Sequence, residues 1–337
     1  MANPMIHQAD LIFEREIAKN TVASVSFLVS LGRRLPTFVD INLDQPTQFT
    51  PYTVVGGDLN GQVFRFPRFT VRPNSTFGRM TEIRSSIKSE YEALILQLQR
   101  RLHKGLQFQT SYTRARAIDT GQGSQTFTAG NVPLNPFDYS FENGPADFDF
   151  KHRFGASVVW NPDFFSADNK VGSAIFNGFT IAPIVGLSSG RPNSASIIGN
   201  APACTNAAVC GGSALSAAVS TGILGAGGAN RFPNIGRNHY RFPKTFNVDL
   251  RVSRRFRITE TVNFEVLGEA FNLFNRVNVT NRGTTLYTIS TATAANAPGV
   301  PLGSPVLIVD PTFLVPTEAG NTILRERQIQ FAARFNF

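Results

Sequence analysis

The chain has 337 residues, of which 42% are hydrophobic, 11% aromatic and only 16% charged. That length allows one large domain or two ordinary ones. Mean hydropathy is −0.07, and no stretch reaches the roughly 18 unbroken apolar residues that a membrane helix needs. A helical membrane span is therefore excluded, whereas membrane strands, which need only about 9–11 alternating residues, are not.

The formal net charge is +9, and nearly all of the basic residues are Arg rather than Lys. A basic chain with interleaved aromatic residues could bind nucleic acid. The arginines, however, are spread through strand-like alternation and do not cluster on one helix or in one patch. We therefore expect no nucleic-acid partner, because arginines that line a polar lumen or face phosphates in loops fit this spacing better.

The sequence pattern in the first third of the chain predicts two pairs of strands. Residues 8–16 and 21–31 alternate in polarity around a short polar connector, as a hairpin does. A long segment rich in Pro, Asn, Gly and Thr follows, over about residues 33–78. A strand from about Arg79 to Arg101 comes next, and a tight turn at His103–Gly105 leads to its partner strand. A helix over residues 90–101 is the alternative, since Leu, Gln, Glu and Arg are good helix formers. We discount it because an unambiguous partner strand begins three residues later.

The same alternation continues through the rest of the chain. The further strand patterns cover residues 106–112, 148–160, 176–188, 246–256 and 262–266. Three more long loops, at about residues 119–146, 190–237 and 276–321, alternate with short connectors between these strands. The short connectors are a turn segment at 161–170 and a turn at Arg257–Glu260.

The last strand pattern, Ile323 to Phe337, alternates apolar and polar residues up to the final position. Ile329, Phe331, Ala333, Phe335 and Phe337 share one face. A soluble β-protein could end on such a strand. The strand also resembles the closing strand of bacterial outer-membrane barrels, whose terminal Phe is read by the insertion machinery. Phe331, Phe335 and Phe337 are therefore the candidate insertion signal.

Short turns and long loops alternate along the whole chain, which favours a barrel over a soluble sandwich. Outer-membrane barrels place short turns on the periplasmic side and long loops outside. The aromatic residues agree, since many lie beside the short turns and would form one interfacial girdle. These girdle candidates are Trp160, Phe164, Phe165, Phe179, Phe256, Phe264, Phe335 and Phe337. The predicted fold is all-β, an antiparallel meander of about nine long strands in a large transmembrane β-barrel.

Five segments carry a more specific resemblance, in this order: HQADLIFEREI, SEYEALILQLQRR, GLQFQTSYTRARAID, DFDFKHRFGASVVW and GEAFNLFNRVN. Together they resemble the C-terminal barrel region of Oar-like TonB-dependent transporters, which are large outer-membrane proteins with an N-terminal carboxypeptidase-regulatory-like domain and a plug. The resemblance covers nearly the whole chain. Its most specific piece is EAFNLFNRVN, Glu269 to Asn278. We expect Asn272 and Asn275 there to hydrogen-bond backbone at the extracellular strand end.

The resemblance implies an active transporter in the outer membrane. Ligand would bind the long extracellular loops and the plug, and TonB would pull on the plug. The implied partners are outer-membrane lipid and lipopolysaccharide, the insertion machinery through the last strand, and TonB only through the plug. A passive outer-membrane pore or a surface adhesin barrel is the alternative. Neither an enzymatic activity nor a cofactor is expected.

Few residues suggest chemistry of their own. Cys204 and Cys210 lie close together in a Gly/Ala/Ser-rich loop with no nearby His for a zinc pattern. A loop disulfide in an oxidising compartment is expected, with two unreacted thiols as the alternative. His152 could act as a general base. It lies, however, at a position of the strand pattern that belongs to the apolar face, which favours a role in packing or in the aromatic girdle. Asp138, Asp147 and Asp149 lack known metal-ligand spacing.

Residues 1–16 lack the basic start, apolar core and cleavage site of a signal peptide. The first and last of nine strands would run in the same direction, so closure would need a parallel pair. Single-chain bacterial barrels are even-numbered and close antiparallel. We therefore expect an open, incomplete barrel without plug or signal peptide, which alone neither inserts stably nor transports.

Overall fold

The structure is a computed structural model that describes residues 2–121, 132–166, 168–204, 207–210, 212–259, 261–320 and 324–337. Several predicted segments fall partly outside these residues: the second long loop at 122–131, the turn segment at 167, the third long loop at 205, 206 and 211, the turn at Glu260, the fourth long loop at 321, and the last strand at Ile323. No helix among the described residues is long and apolar enough to cross a membrane.

The strands in chain order are β1 (Met5–Ala18), β2 (Thr21–Asp40), β3 (Gln48–Val55), β4 (Val63–Arg68), β5 (Thr81–His103), β6 (Leu106–Asp119), β7 (Gly144–Pro145), β8 (His152–Trp160), β9 (Phe179–Ser188), β10 (Pro192–Asn193), β11 (Ser196–Ile198), β12 (Tyr240–Arg241), β13 (Thr245–Arg257), β14 (Asn263–Phe271), β15 (Val279–Arg282), β16 (Thr285–Thr291), β17 (Pro305–Val309), β18 (Pro316–Ala319) and β19 (Gln328–Asn336). The helices are a 3₁₀ turn at Tyr139–Glu142 and α1 (Lys170–Phe176).

Nine long strands form one sheet, which we call the wall. Their spatial order is β1-β2-β5-β6-β8-β9-β13-β14-β19, and every neighbouring pair is antiparallel. The short strand β7 adds to the end of β6. In the described part of the chain, β1 pairs only with β2 and β19 only with β14, so the wall does not close. The predicted antiparallel meander and its open form are both confirmed.

The register of the wall collects the apolar residues on one face. In β5 and β6, Leu96 lies opposite Tyr112 and Leu98 opposite Thr110. In β14 and β19, Phe264 lies opposite Phe335. Because side chains alternate along a strand, this register carries one apolar face across all nine strands. We call it the outer face.

The opposite face, the inner face, is mostly polar and lies on the concave side of the wall. Ser253 of β13 and Glu265 of β14 are buried on this face. Ala93, Ala117 and Leu267 share this parity and are also buried. Burial of one face only is what a curled sheet produces, because its concave side chains crowd together.

One tight turn shows why the short connectors are short. Lys104 and Gly105 both have positive φ, 49° and 73°, as a two-residue hairpin loop requires. A Cβ at Gly105 would lie 2.2 Å from the carbonyl oxygen of Asn161. Glycine is therefore needed here for both conformation and space.

Several predicted boundaries are wrong. The strand predicted over residues 148–160 begins only at His152 in β8, and two further differences have a clear physical reason. The first long loop was expected from residue 33, but β2 continues to Asp40 after an irregularity at Gly32–Leu35 where Arg34 has φ 56°. A bulge absorbs the turn-like GRR signal without ending the strand. The connector between β8 and β9 was expected as a turn, but it spans residues 161–178 and contains α1. The predicted strand start at Phe176 is thus the helix end.

The four long connectors meet at one end of the wall in a layer that we call the cap. They cover residues 41–80, 120–151, 189–244 and 272–327. Strands from three of them build one five-stranded sheet, in the order β11-β16-β17-β3-β4. The opposite end of the wall, where the short connectors lie, is the short-turn rim.

The cap has a hydrophobic core of its own. Tyr52, Phe69, Ile223, Phe232 and Leu307 are each at most 1% exposed. The ring of Phe232 contacts those of Phe64, Phe66 and Tyr287 at centroid distances of 5.1–5.7 Å. The third long loop, which is rich in Gly, Ala and Ser, contributes Ile223, Leu224 and Phe232 to this core, because its small side chains allow close packing.

Candidate functional site

Two clefts open on the inner face of the wall beneath the cap. The first, about 600 Å³, is lined by Gln8, Leu28, Ser30, Ser89, Glu90, Tyr91, Ile95, Thr113, Ala115, Ile118, Phe148, Phe150 and Arg153. The second, also about 600 Å³, is lined by Ser111, Thr113, Arg153, Phe154, Gly155, Ile184, Gly186, Leu187, Ser188, Thr245, Asn247, Asp249 and Leu324. Both clefts share Thr113 and Arg153.

Arg153 is the residue that joins the two clefts. It lies on the inner face of β8, opposite Thr113 of β6 and Ser188 of β9. Its guanidinium carbon is 3.9 Å from the ring centroid of Phe150, a cation–π contact that orients the side chain while leaving its donors exposed. The position offers a fixed cation to any ligand that passes along the inner face.

The first cleft combines aromatic faces with polar groups. Phe148 is 60% exposed beside Phe150, and Tyr91 and Gln8 lie on the wall opposite. Ligand sites are typically apolar surfaces with a few fixed polar groups. This cleft therefore suits a ligand that carries both a flat apolar face and polar or anionic groups.

Further along the inner face, charged side chains form a network. Arg251 lies 3.7 Å from Glu265 and 3.8 Å from Glu269, and Arg334 lies 4.0 Å from Glu265. Gln330 donates to Glu269. These groups give the inner face the polar lining that the alternation predicted.

A third concave region lies on the outer face, at the cap end of the wall, and we call it the basic groove. Its volume is about 520 Å³. It forms because β6 continues past His152, where β8 begins opposite Arg114. The basic residues that line it are Arg114, Arg116, Lys151, His152, His239 and Arg241, with Arg237 buried behind them, and Asp149 is an acidic residue of the lining.

The basic groove has few anions of its own. Arg241 is paired with Asp149, but within the described residues no carboxylate oxygen lies within 4.0 Å of Arg114, Arg116 or Lys151. His152 Nδ1 lies 2.8 Å from the Tyr112 hydroxyl, and the two rings stack. His152 therefore packs against an outer-face tyrosine at the cap end of the wall. The groove is therefore a net cationic surface that suits phosphate groups.

The girdle candidates Trp160, Phe179, Phe256 and Phe264 all lie on the outer face near the short-turn rim. Phe256 and Phe264 lie opposite each other with ring centroids 6.3 Å apart, and Phe264 is 5.0 Å from Phe335. Trp160 contacts Phe164 edge-on at 6.0 Å. The register thus places aromatic rings from β8, β9, β13, β14 and β19 at one level.

The candidate insertion signal lies on the exposed edge strand β19. Phe331, Phe335 and Phe337 are 82%, 59% and 99% exposed. Phe331 and Phe335 point to the outer face, opposite Gly268 and Phe264 of β14. The described strand begins at Gln328 rather than Ile323. The three rings therefore stand together on a free strand edge.

Cys204 and Cys210 are bonded to each other in the cap, with their Cα atoms 6.4 Å apart. Both are buried, and Leu215 and Val209 pack against them. The bond closes a loop over residues 204–210, of which 205 and 206 lie outside the described residues.

The three aspartates that could have suggested a metal site have structural partners instead. Asp149 accepts a hydrogen bond from the Ala117 amide at 2.8 Å and pairs with Arg241. Asp147 accepts from the Asn238 amide side chain at 2.6 Å. Asp138 caps the 3₁₀ turn through the Ser140 amide. Among the described residues no His, Cys, Asp and Glu side chains cluster as a metal site would require.

The predicted role of Asn272 and Asn275 is confirmed. The Asn272 side chain donates to the carbonyls of Arg276 and Arg325 at 2.9 and 2.8 Å and accepts from the Arg276 amide. Asn275 accepts from the Arg327 amide at 3.0 Å. Both residues have φ near 50°, a conformation that Asn tolerates. They tie the end of β14 to the start of β19.

The sequence pattern does not mark Arg153 and Phe148 as site residues. The alternation placed Arg153 on the polar face of its strand, but that signal is shared by every inner-face residue. Residues 148–151 were expected to belong to the same strand, but β8 begins at His152, and the turn before it brings Phe150 over the Arg153 guanidinium.

Comparison with known proteins agrees with this geometry. Residues 1–330 match the family described as outer membrane beta barrel domain. No curated protein matches the chain. Among solved structures, the outer membrane transporter YddB from Escherichia coli is similar at 11% identity and a TM-score of 0.44, over 83% of this chain. The chain spans 30% of the length of that transporter. This chain belongs to the outer membrane beta barrel domain family and is an integral β-barrel protein of the outer membrane.

Proposed function

We propose that this chain forms the wall and the ligand-capturing loops of an active, TonB-dependent transporter of the outer membrane. The observation that carries the proposal is the pair of clefts that meet at Arg153 beneath a folded cap. A cap of packed loops presents fixed groups to the outside, and the polar inner face continues from those groups along the wall. The resemblance to Oar-like transporters supports the same function.

The dimensions of the outer face agree with a membrane location. On β5 the outer-face residues Leu98, Leu96 and Leu94 lie between Arg100 and Glu92. That interval spans about 27 Å along a strand, which a tilt of about 40° reduces to about 21 Å. The apolar band of outer-membrane barrels is about 25 Å tall. The charged residues therefore fall where the hydrocarbon layer would end.

In this function the chain acts by binding and positioning, and it catalyses no reaction. Arg153 would hold an anionic or hydrogen-bonding group of the ligand, and Phe148 would cover an apolar face of it. Energy would come from TonB acting on a plug domain inside the barrel. The basic groove would contact lipopolysaccharide phosphates, and β19 would be recognised by the insertion machinery.

Uptake by intact cells tests the proposal. Cells that produce the protein from its own gene, and matched deletion cells, receive labelled ferric chelates, oligosaccharides and peptides, with and without a protonophore. At least one class of solute should accumulate only in energised producing cells. Entry that ignores the protonophore would instead indicate a passive pore, and equal accumulation in both strains would overturn transport.

A matched pair of variants ties uptake to the clefts. Arg153→Ala should lower energised uptake about tenfold, because loss of one charge-assisted hydrogen bond is worth about 1.5–3 kcal/mol. Arg257→Ala removes an inner-face arginine at the short-turn rim, far from the clefts, and should leave uptake unchanged. Equal effects of the two substitutions would remove the clefts from the ligand path.

A further inference from the structure

In the described part of the connector at residues 161–178, four apolar side chains are each half exposed or more. Phe164, Val171, Ile175 and Phe176 are 56%, 71%, 51% and 50% exposed. The connector lies at the short-turn rim, and short connectors of outer-membrane barrels face the periplasm. Grouped apolar side chains of this size are unusual on a surface that faces water and mark an interaction site.

The connector is held against the outer face of the wall. Arg254 is an outer-face residue of β13, and its guanidinium donates to the carbonyl oxygen of Ala174 in α1. The same guanidinium lies over the rings of Phe179 and Phe256, at 5.0 and 4.6 Å. Because the anchoring residue points outward, α1 lies beside the aromatic rim and not across the barrel mouth.

The internal packing of the connector directs its apolar side chains outward. Gly172 packs under Phe165, where an added Cβ would lie 2.7 Å from the ring. Val171 and Ile175 are four residues apart, so they project from one side of α1. The side-chain oxygen of Asn177 accepts hydrogen bonds from the backbone amides of Phe164 and Phe165 at 2.9 and 3.1 Å, and these bonds fix the loop before the helix. The apolar stripe is therefore built into the connector.

We propose that this connector is a membrane-interface anchor, in which α1 and Phe164 insert into the periplasmic leaflet beside the wall. The partner is the phospholipid surface, because the stripe is continuous with the lipid-facing outer face through the contact between Phe164 and Trp160. Helices that lie in the interface bury their apolar side chains in this way and keep polar groups in water. Lys170 and Asp168 at the helix start are both exposed and supply the polar groups that would stay in water.

The single tryptophan of the chain makes the anchor measurable. In Trp160→Phe/Val171→Trp the indole reports from α1. In the control, Trp160→Phe/Phe49→Trp, it reports from a half-exposed cap position. Each protein is purified from outer membranes and reconstituted in phospholipid vesicles with bromine on the upper acyl carbons. Lipid bromines quench only indoles that enter the bilayer interface.

The indole at position 171 should be quenched by brominated lipid at least about twofold more than the indole at position 49, and should emit at shorter wavelength. Acrylamide in water should show the reverse order. Equal lipid quenching at the two positions, or stronger acrylamide quenching at 171, would overturn the anchor. Val171→Trp replaces a side chain that is already 71% exposed, so it should not disturb folding.

Discussion

Arg237 and Asp119 lie 118 residues apart and form a buried ion pair that joins the cap to the end of β6. The Arg237 side chain is fully buried, and its Nε also donates to the carbonyl oxygen of Glu142 at 2.8 Å. Nearby, Arg231 pairs with Glu142 at 2.7 Å. Two buried cations thus connect the second and third long connectors to each other and to the wall.

Arg237→Ala should loosen the cap. Removal of one partner leaves Asp119 buried without its cation, which destabilises by about 3–5 kcal/mol. Urea unfolding of the purified protein in detergent, followed by near-ultraviolet circular dichroism, measures the loss. Arg84→Ala is the control, because the exposed pair of Arg84 with Glu82 should contribute less than about 1 kcal/mol. Equal midpoints for the two variants would show that the buried pair does not hold the cap.

Cys204 and Cys210 should be oxidised in protein taken from the outer membrane. Thiol labelling of the denatured, non-reduced protein should detect neither residue, and labelling after reduction should detect both. A disulfide that closes so short a loop stabilises by about 2 kcal/mol. Cys204→Ser/Cys210→Ser should therefore lower cap stability by that amount. Two labelled thiols before reduction would refute the pairing.

Phe337→Ala should reduce the yield of inserted protein far more than a matched change in the cap. Phe337 is 99% exposed at the end of β19, where recognition by the insertion machinery is proposed. Phe232 is unsuitable as a control because it is 1% exposed in the cap core, although its sequence suggested a loop residue. Phe49→Ala, at a half-exposed cap position, is the better control. The measurement is the amount of protein in isolated outer membranes, and similar amounts would count against the signal.

The basic groove should bind lipopolysaccharide phosphates. Arg114→Ser/Arg116→Ser should lower the lipopolysaccharide retained through purification at least about threefold, since each charge-assisted contact is worth about 1.5–3 kcal/mol. The control is Arg255→Ser/Arg257→Ser, which removes two arginines at the short-turn rim, at the end of β13 and away from the basic groove. Native mass spectrometry counts the retained lipids. Unchanged retention in the first variant would exclude the groove as a phosphate site.

The cap should lose stability in alkali through Tyr52. Burial raises the pKa of Tyr52 well above its usual value near 10, despite the nearby charge of Arg68. A raised pKa in the folded state means that the stabilisation is complete below about pH 10 and declines as pH rises further.

Tyr52→Phe removes this titration together with the hydrogen bond to the Ile223 carbonyl oxygen. The variant should be less stable by about 1–2 kcal/mol at neutral pH. The difference in stability should narrow as the pH rises above about 10, because only the protein with Tyr52 loses the stabilisation that this protonated phenol provides. Thermal melts at a series of pH values measure it, and a constant difference would contradict the titration.

The sequence by itself determined the wall. Strict alternation in segments such as Leu106–Tyr112 sets which face each side chain takes, since the period of a strand is two whatever lies beside it. Antiparallel neighbours then follow from short connectors such as Lys104–Gly105. The outer face, the polar inner face and the level of Trp160 and Phe264 were all predictable for this local reason, whereas the backbone bonds of Asn272 were expected only from the family resemblance.

Only the tertiary structure decided what the long connectors do. Their sequences are rich in small residues and have no period, so nothing local shows that Phe69, Ile223 and Phe232 share one core. Contacts such as Arg237 with Asp119 join residues far apart in the chain, and α1 owes its place to Arg254 on another strand. Packing between distant segments depends on the closure of the whole fold, which local pattern does not encode.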